Sequence, residues 1–97
     1  MIGRKKQPTK GGATAQYNLG NYYYKGIGVR QDYGKAFEWY LKAANQGDVD
    51  AQLNIGLMYY KGEGVLQNED NAKEYFGKAC DNGEQEGCDS YRILNQR

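Results

Sequence analysis

Ser90 is the only serine of the chain, and the residues after it are Tyr91, Arg92 and Ile93. Serine β-lactamase chemistry needs an acylatable serine with lysine three residues on, and here that place holds isoleucine. The sequence contains no histidine, which excludes Ser/His and Cys/His nucleophilic systems. Cys80 and Cys88 supply two of the four ligands a zinc site uses, with no histidine to complete the set. The acidic group Asp81, Glu84, Glu86 and Asp89 lacks the spacing of a calcium loop and reads as a solvated turn. Two glycine loops, GIGV at 26–29 and GEGV at 62–65, follow helical segments, and neither extends to the G-x-G-x-x-G of a phosphate cradle. The sequence therefore predicts a non-catalytic protein with no metal and no cofactor.

The glycine loops belong to a repeat. Displacing the chain by 36 residues aligns 15–50 with 51–86 and yields sixteen identities, among them Asn18/Asn54, Gly20/Gly56, Tyr23/Tyr59, Lys25/Lys61, Gly26/Gly62 and Gly28/Gly64. A period of this size without strand signals predicts a helix-turn-helix solenoid. In the first unit, Ala15, Leu19 and Tyr22 recur at helical spacing over 14–25, a face expected to pack toward the array. Gly26 ends that helix, and Gly28 allows the loop a conformation closed to other residues. Asp32 is placed to cap a second helix over 33–46, where Ala36, Trp39, Tyr40 and Ala43 form the apolar stripe. The second unit repeats this with helices over 49–61 and 69–82, Asn68 capping and Gly83 stopping. Val29 and Val65 are expected to plug their loops into the core.

Residues 84–96 begin a third unit. Gly20 and Gly56 sit where a second helix must approach closely, and the same register places Arg92 in the third copy. Gly87, Tyr91 and Leu94 keep the small or apolar inward positions. The array is thus expected to stop at a capping helix. The predicted organisation is a basic flexible arm at 1–12 and a repeat domain at 13–97, with units 15–50, 51–86 and a partial 87–97.

Ninety-seven residues allow one domain near the lower limit of a self-sufficient core. Arg4, Lys5, Lys6 and Lys10 concentrate positive charge in the first twelve residues, leaving nine Lys/Arg against twelve Asp/Glu in the remainder. A weakly acidic body argues against nucleic acid as a partner. No stretch approaches the ~20 apolar residues of a membrane span, and the N-terminus lacks the apolar core of a secretory signal peptide.

The stretch AQYNLGNYYYKGIGVRQDYGKAFEWYLKAANQGDVDAQ, which begins at Ala15, resembles the Sel-one-like repeat (SLR) family, relatives of the tetratricopeptide repeat. Residues 15–50 fit the family pattern nearly throughout. Residues 51–83 fit less fully, with Asn68 for an aspartate and Asn71 for a lysine. The resemblance implies an all-α, right-handed superhelical solenoid that acts as an adaptor or scaffold. Cys80 and Cys88 are similar in placement to the cysteine-rich bacterial branch, whose paired cysteines cross-link neighbouring helices. That branch implies a Cys80–Cys88 disulfide and a periplasmic or secreted location if the bridge forms; two buried thiols in a cytosolic protein are the other reading. It also implies a second function, an envelope protein with penicillin-binding or weak β-lactamase-like activity. Ala44 and Gln52 replace the cysteines in the first unit.

Without a catalytic constellation, function falls to surfaces. On a helical wheel the face left over in each first helix carries Tyr17, Asn18, Asn21 and Lys25, then Leu53, Asn54, Leu57 and Lys61, then Asp89, Ser90, Ile93 and Arg97. Stacked at the repeat period they form columns on the concave side of a solenoid. Amide, cation and exposed apolar groups together suit an extended or helical peptide. Tyr17, Asn18, Asn21, Lys25, Leu53, Asn54, Leu57 and Lys61 are the predicted partner-binding residues of a monomeric interaction module.

Overall fold

The computed structural model describes residues 10–96, and all regular structure in that range is helical. In chain order the helices are α1 (Lys10–Lys25), α2 (Tyr33–Asn45), α3 (Val49–Lys61), α4 (Glu69–Asp81) and α5 (Gln85–Asn95). Each packs principally on its neighbour in sequence, giving an all-α helical-repeat solenoid. α1 starts four residues before the expected Thr14, and Ala13 in the added turn is buried. Residues 10–12, expected in the basic arm, are therefore helical. Arg4, Lys5, Lys6 and Arg97 lie outside the described residues.

The helix boundaries follow from local chemistry. Asp32, Asp48 and Asn68 take extended backbone, and their side chains accept the N–H of Lys35, Ala51 and Asn71 at 3.0, 2.9 and 2.9 Å. Each cap satisfies a donor the helix leaves unpaired. Gly26 and Gly62 terminate α1 and α3 in the left-handed region, at φ 73° and 75°, where a β-carbon is strained. Gln31 and Gln67 then fold back, each donating its side-chain amide at 2.8 Å, to the carbonyls of Tyr24 and Tyr60.

One core cluster joins Ala36, Phe37, Tyr40, Ala43 and Ala44 of α2 to Ala51, Ile55 and Met58 of α3. A second joins Leu53 to Ala72, Phe76 and Ala79. Gly20 and Gly56 permit the close approach expected of them: a β-carbon there would lie 2.5 Å from the Tyr40 ring and 2.7 Å from the Phe76 ring.

Two expectations change. Ala51, Ile55 and Met58 are the most buried part of α3, whereas the equivalent Ala15 and Tyr22 of α1 are exposed and Leu19 is half-buried. α2 covers that face in the second unit, and no described helix covers it in the first. For the same reason Val65 packs on the core while Val29 is exposed. The 62–68 loop rests on the preceding unit, Gly64 lying against the Tyr33 backbone. Among the described residues, nothing comes within 4 Å of a β-carbon at Gly28, the equivalent position in loop 26–32.

The last helix keeps Gly87 and Leu94 inward as expected, whereas Tyr91, although its ring lies beside Gly77, is exposed. Gly87 is buried so tightly that a β-carbon would meet Ala79 and the α4 backbone within 3.0 Å. Leu94 packs on the second cluster, and Arg92 points outward to pair with Asp89 at 2.8 Å.

Candidate functional site

The first helices of successive units, α1 and α3, leave between them a groove of about 280 Å³. Tyr17, Asn21 and Lys25 line it from α1; Asn54, Leu57 and Lys61 line it from α3. These are six of the eight residues the sequence assigned to partner binding. The spacing explains their meeting. Positions 17, 21 and 25 recur every four residues on one helix face, as do 57 and 61 with 54 one turn earlier.

The other two lie elsewhere. Asn18 is exposed on α1, outside the groove lining. Leu53 is buried in the second core cluster with Phe76 and Ala72, and is not available to a partner. Although Leu53 has the register of Tyr17, it is a short apolar side chain facing a complete unit. Tyr17 instead lays its ring 5.6 Å from that of Tyr40, at the groove wall.

Tyr24, Tyr40 and Met58 complete the lining, and the wheel had not selected them. Tyr40 comes from α2 and is almost wholly buried, yet its hydroxyl reaches the groove and donates to Asn21 Oδ1. Asn54 faces the same hydroxyl from α3. A buried tyrosine has to find a partner for its hydroxyl; that was the available signal. Burial first, then the neighbouring tyrosines, pushes the Tyr40 phenol far above its ordinary value. Burial and the hydrogen bond to Glu63 push Tyr24 up to about 12. Both are neutral hydroxyls at physiological pH.

The electrostatics are one-sided. Lys25 and Lys61 end α1 and α3, where a cation suits the negative pole of the helix. Among the described residues neither has a carboxylate within ion-pair distance. The nearby acid, Glu63, already accepts the Tyr24 hydroxyl at 2.7 Å. With its carbonyl oxygen engaged by Tyr40, the Asn21 amide keeps its N–H groups to donate. Such an arrangement can hold carbonyl oxygens and carboxylates; it pairs no nucleophile with a base.

Across α3 lies a second cavity of about 200 Å³ between α3 and α5, lined by Leu57, Tyr60, Phe76, Ile93, Leu94 and Ser90. Ser90 thus sits in apolar surroundings, and the lining includes no lysine. Asp89, grouped with Asp81, Glu84 and Glu86 in the sequence, accepts hydrogen bonds from Gln85 and Arg92. These hold its carboxyl below the usual range. Cys80 and Cys88 form a disulfide, their Cα atoms 4.4 Å apart, tying the end of α4 to the start of α5.

The family model described as "Sel1 repeat" matches residues 13–48 and again 49–84. The chain is similar in structure to a Sel1 repeat protein from Oxalobacter formigenes, with TM-score 0.84 and 36% identity, covering 88% of this chain and 35% of that one. It is also similar to Helicobacter pylori cysteine rich protein B, with TM-score 0.76 and 37% identity over 78% of this chain and 57% of that one. In sequence it is 46% identical over 41 residues to the ERAD-associated E3 ubiquitin-protein ligase component HRD3A of Arabidopsis thaliana, 41% of this chain and 6% of that protein. The chain thus spans only a fraction of the length of these relatives.

Proposed function

The chain belongs to the Sel1 repeat family, whose members are generally protein–protein interaction modules, and from that premise we propose that it binds a protein or peptide in the groove between α1 and α3. The groove lies between first helices, the side expected to be concave in a helical solenoid. Lys25 and Lys61 flank it, Asn21 and Asn54 offer amides to a bound backbone, and Tyr17 and Leu57 supply contact area. The observation that carries the reading is the pair of cations that have no carboxylate partner among the described residues, above a polar, tyrosine-floored groove. Cations left open cost nothing where they are exposed and gain when a carboxylate arrives. The module is non-catalytic, and its disulfide supports residence in an oxidising compartment.

The experiment is site-specific photo-crosslinking in the host cell. A photoreactive residue at Leu57 should capture a discrete partner, and the same residue at exposed Glu38 should not. Capture that is equally strong from both positions, or unaffected by Lys61→Glu, would refute the groove.

A further inference from the structure

The two cavities meet at Leu57, which lines both. Their chemistry differs sharply. The α1/α3 groove offers two cations, two amides and tyrosine hydroxyls, while the α3/α5 cavity is enclosed mainly by carbon: Leu57, Phe76, Ile93 and Leu94, with the Tyr60 ring. Ile93 stands 59% exposed at its rim, an apolar side chain held in water beside an apolar hollow.

From this juxtaposition we infer that the bound segment is a bipartite peptide: one or more acidic residues in the α1/α3 groove, and a bulky aliphatic side chain seated against Ile93 and Leu94. The inference rests on the groove reading above and assigns its ligand class. Charge complementarity fixes the first element, because the groove cations have no carboxylate partner among the described residues. Size and polarity fix the second. A cavity of about 200 Å³ takes a leucine-sized group, and a charged group entering it would be desolvated without a counter-charge. Leu57 is a wall common to both hollows, so a few residues of extended chain, at ~3.3 Å each, reach from one to the other. Continuity through Leu57 lets one strand serve both hollows.

The test uses fluorescein-labelled synthetic peptides and the intact, oxidised chain, read by anisotropy. The full probe is Glu-Glu-Ser-Ser-Leu-Ser; a second replaces the leucine with serine, and a third replaces both glutamates with glutamine. Losing the leucine should weaken binding about tenfold, the usual return of one aliphatic side chain in an apolar pocket. Losing the acids should weaken it at least as much, and more at low salt. In the protein, Ile93→Ser should weaken the full probe severalfold and leave the leucine-free probe unchanged. Should Ile93→Ser fail to fold by circular dichroism, the leucine-to-serine comparison on the parent chain still decides. If the leucine-free probe binds as tightly as the full one, the apolar subsite is wrong while the groove reading stands. If acid removal is also without effect, or the full probe does not bind at millimolar concentration, both fall.

Discussion

The ring of Tyr40 lies against Gly20, so close that a β-carbon on Gly20 would stand 2.5 Å from it. That contact seats α2 against α1 and carries the Tyr40 hydroxyl to Asn21 at the groove. Gly20→Ala gains about 1 kcal/mol of helix propensity, but displacing a packed ring costs about 1–3 kcal/mol. The variant is expected to be net destabilised, and Gly56→Ala, against Phe76, likewise. Urea denaturation measures both; unchanged midpoints would mean the helices can separate at little cost.

The Cys80–Cys88 bridge closes a nine-residue segment and should contribute about 2–3 kcal/mol on the chain-entropy model. Alkylation of the native, oxidised protein without reductant should label neither cysteine. Reduction should lower the thermal midpoint and loosen α5 before the rest, because the bridge reinforces a helix otherwise held by Gly87, Tyr91 and Leu94. Two labelled cysteines in folded, oxidised protein would contradict the bridge.

Most of the architecture was legible in the sequence because it is set within a few residues. Asp32 and Asn68 cap where the periodicity changes, Gly26 and Gly62 take the left-handed turn, and Gly20 and Gly56 admit a neighbouring ring. What the period could not convey is what stands on either side of a given copy. Tyr17 and Leu53 share a register, yet one lines the groove and the other is core; Val65 is packed and Val29 is not. A repeat specifies which face a residue is on, and burial depends on the neighbouring unit. The Tyr40 hydroxyl was missed for another reason. It belongs to the second helix, and only the fold brings its tip through to a surface built by first helices.

Alkaline titration should destabilise the fold. Burial raises the Tyr40 and Tyr75 phenols, and burial with the Glu63 hydrogen bond raises Tyr24 to about 12. Unfolded tyrosines lose their protons near pH 10. From there to about pH 12 the unfolded chain holds fewer protons than the folded one, and stability falls as pH rises. The tyrosinate absorbance near 295 nm should show a late-titrating fraction that merges into the ordinary one when the protein is first unfolded in urea. A single ordinary titration in the folded protein would show that these hydroxyls are solvated.

Nitrocefin should not be turned over by the chain above the buffer rate. Ser90 lies in a cavity lined by Leu57, Phe76, Ile93 and Leu94, with no lysine to accept its proton. Hydrolysis that disappears in Ser90→Ala would overturn the non-catalytic reading and revive the envelope β-lactamase-like alternative.

A partner held in the α1/α3 groove would depend on Asn54 and Lys61. The direct measurement is the affinity of the crosslinked partner for the parent chain and for the Asn54→Ala/Lys61→Glu double variant, by calorimetry at matched ionic strength. Asn54 is half-buried and Lys61 exposed, so the variant should keep its helical circular dichroism. Loss of one amide contact and reversal of one charge should weaken binding at least tenfold, with the deficit shrinking in high salt. Equal affinity of the folded double variant and the parent would contradict the account.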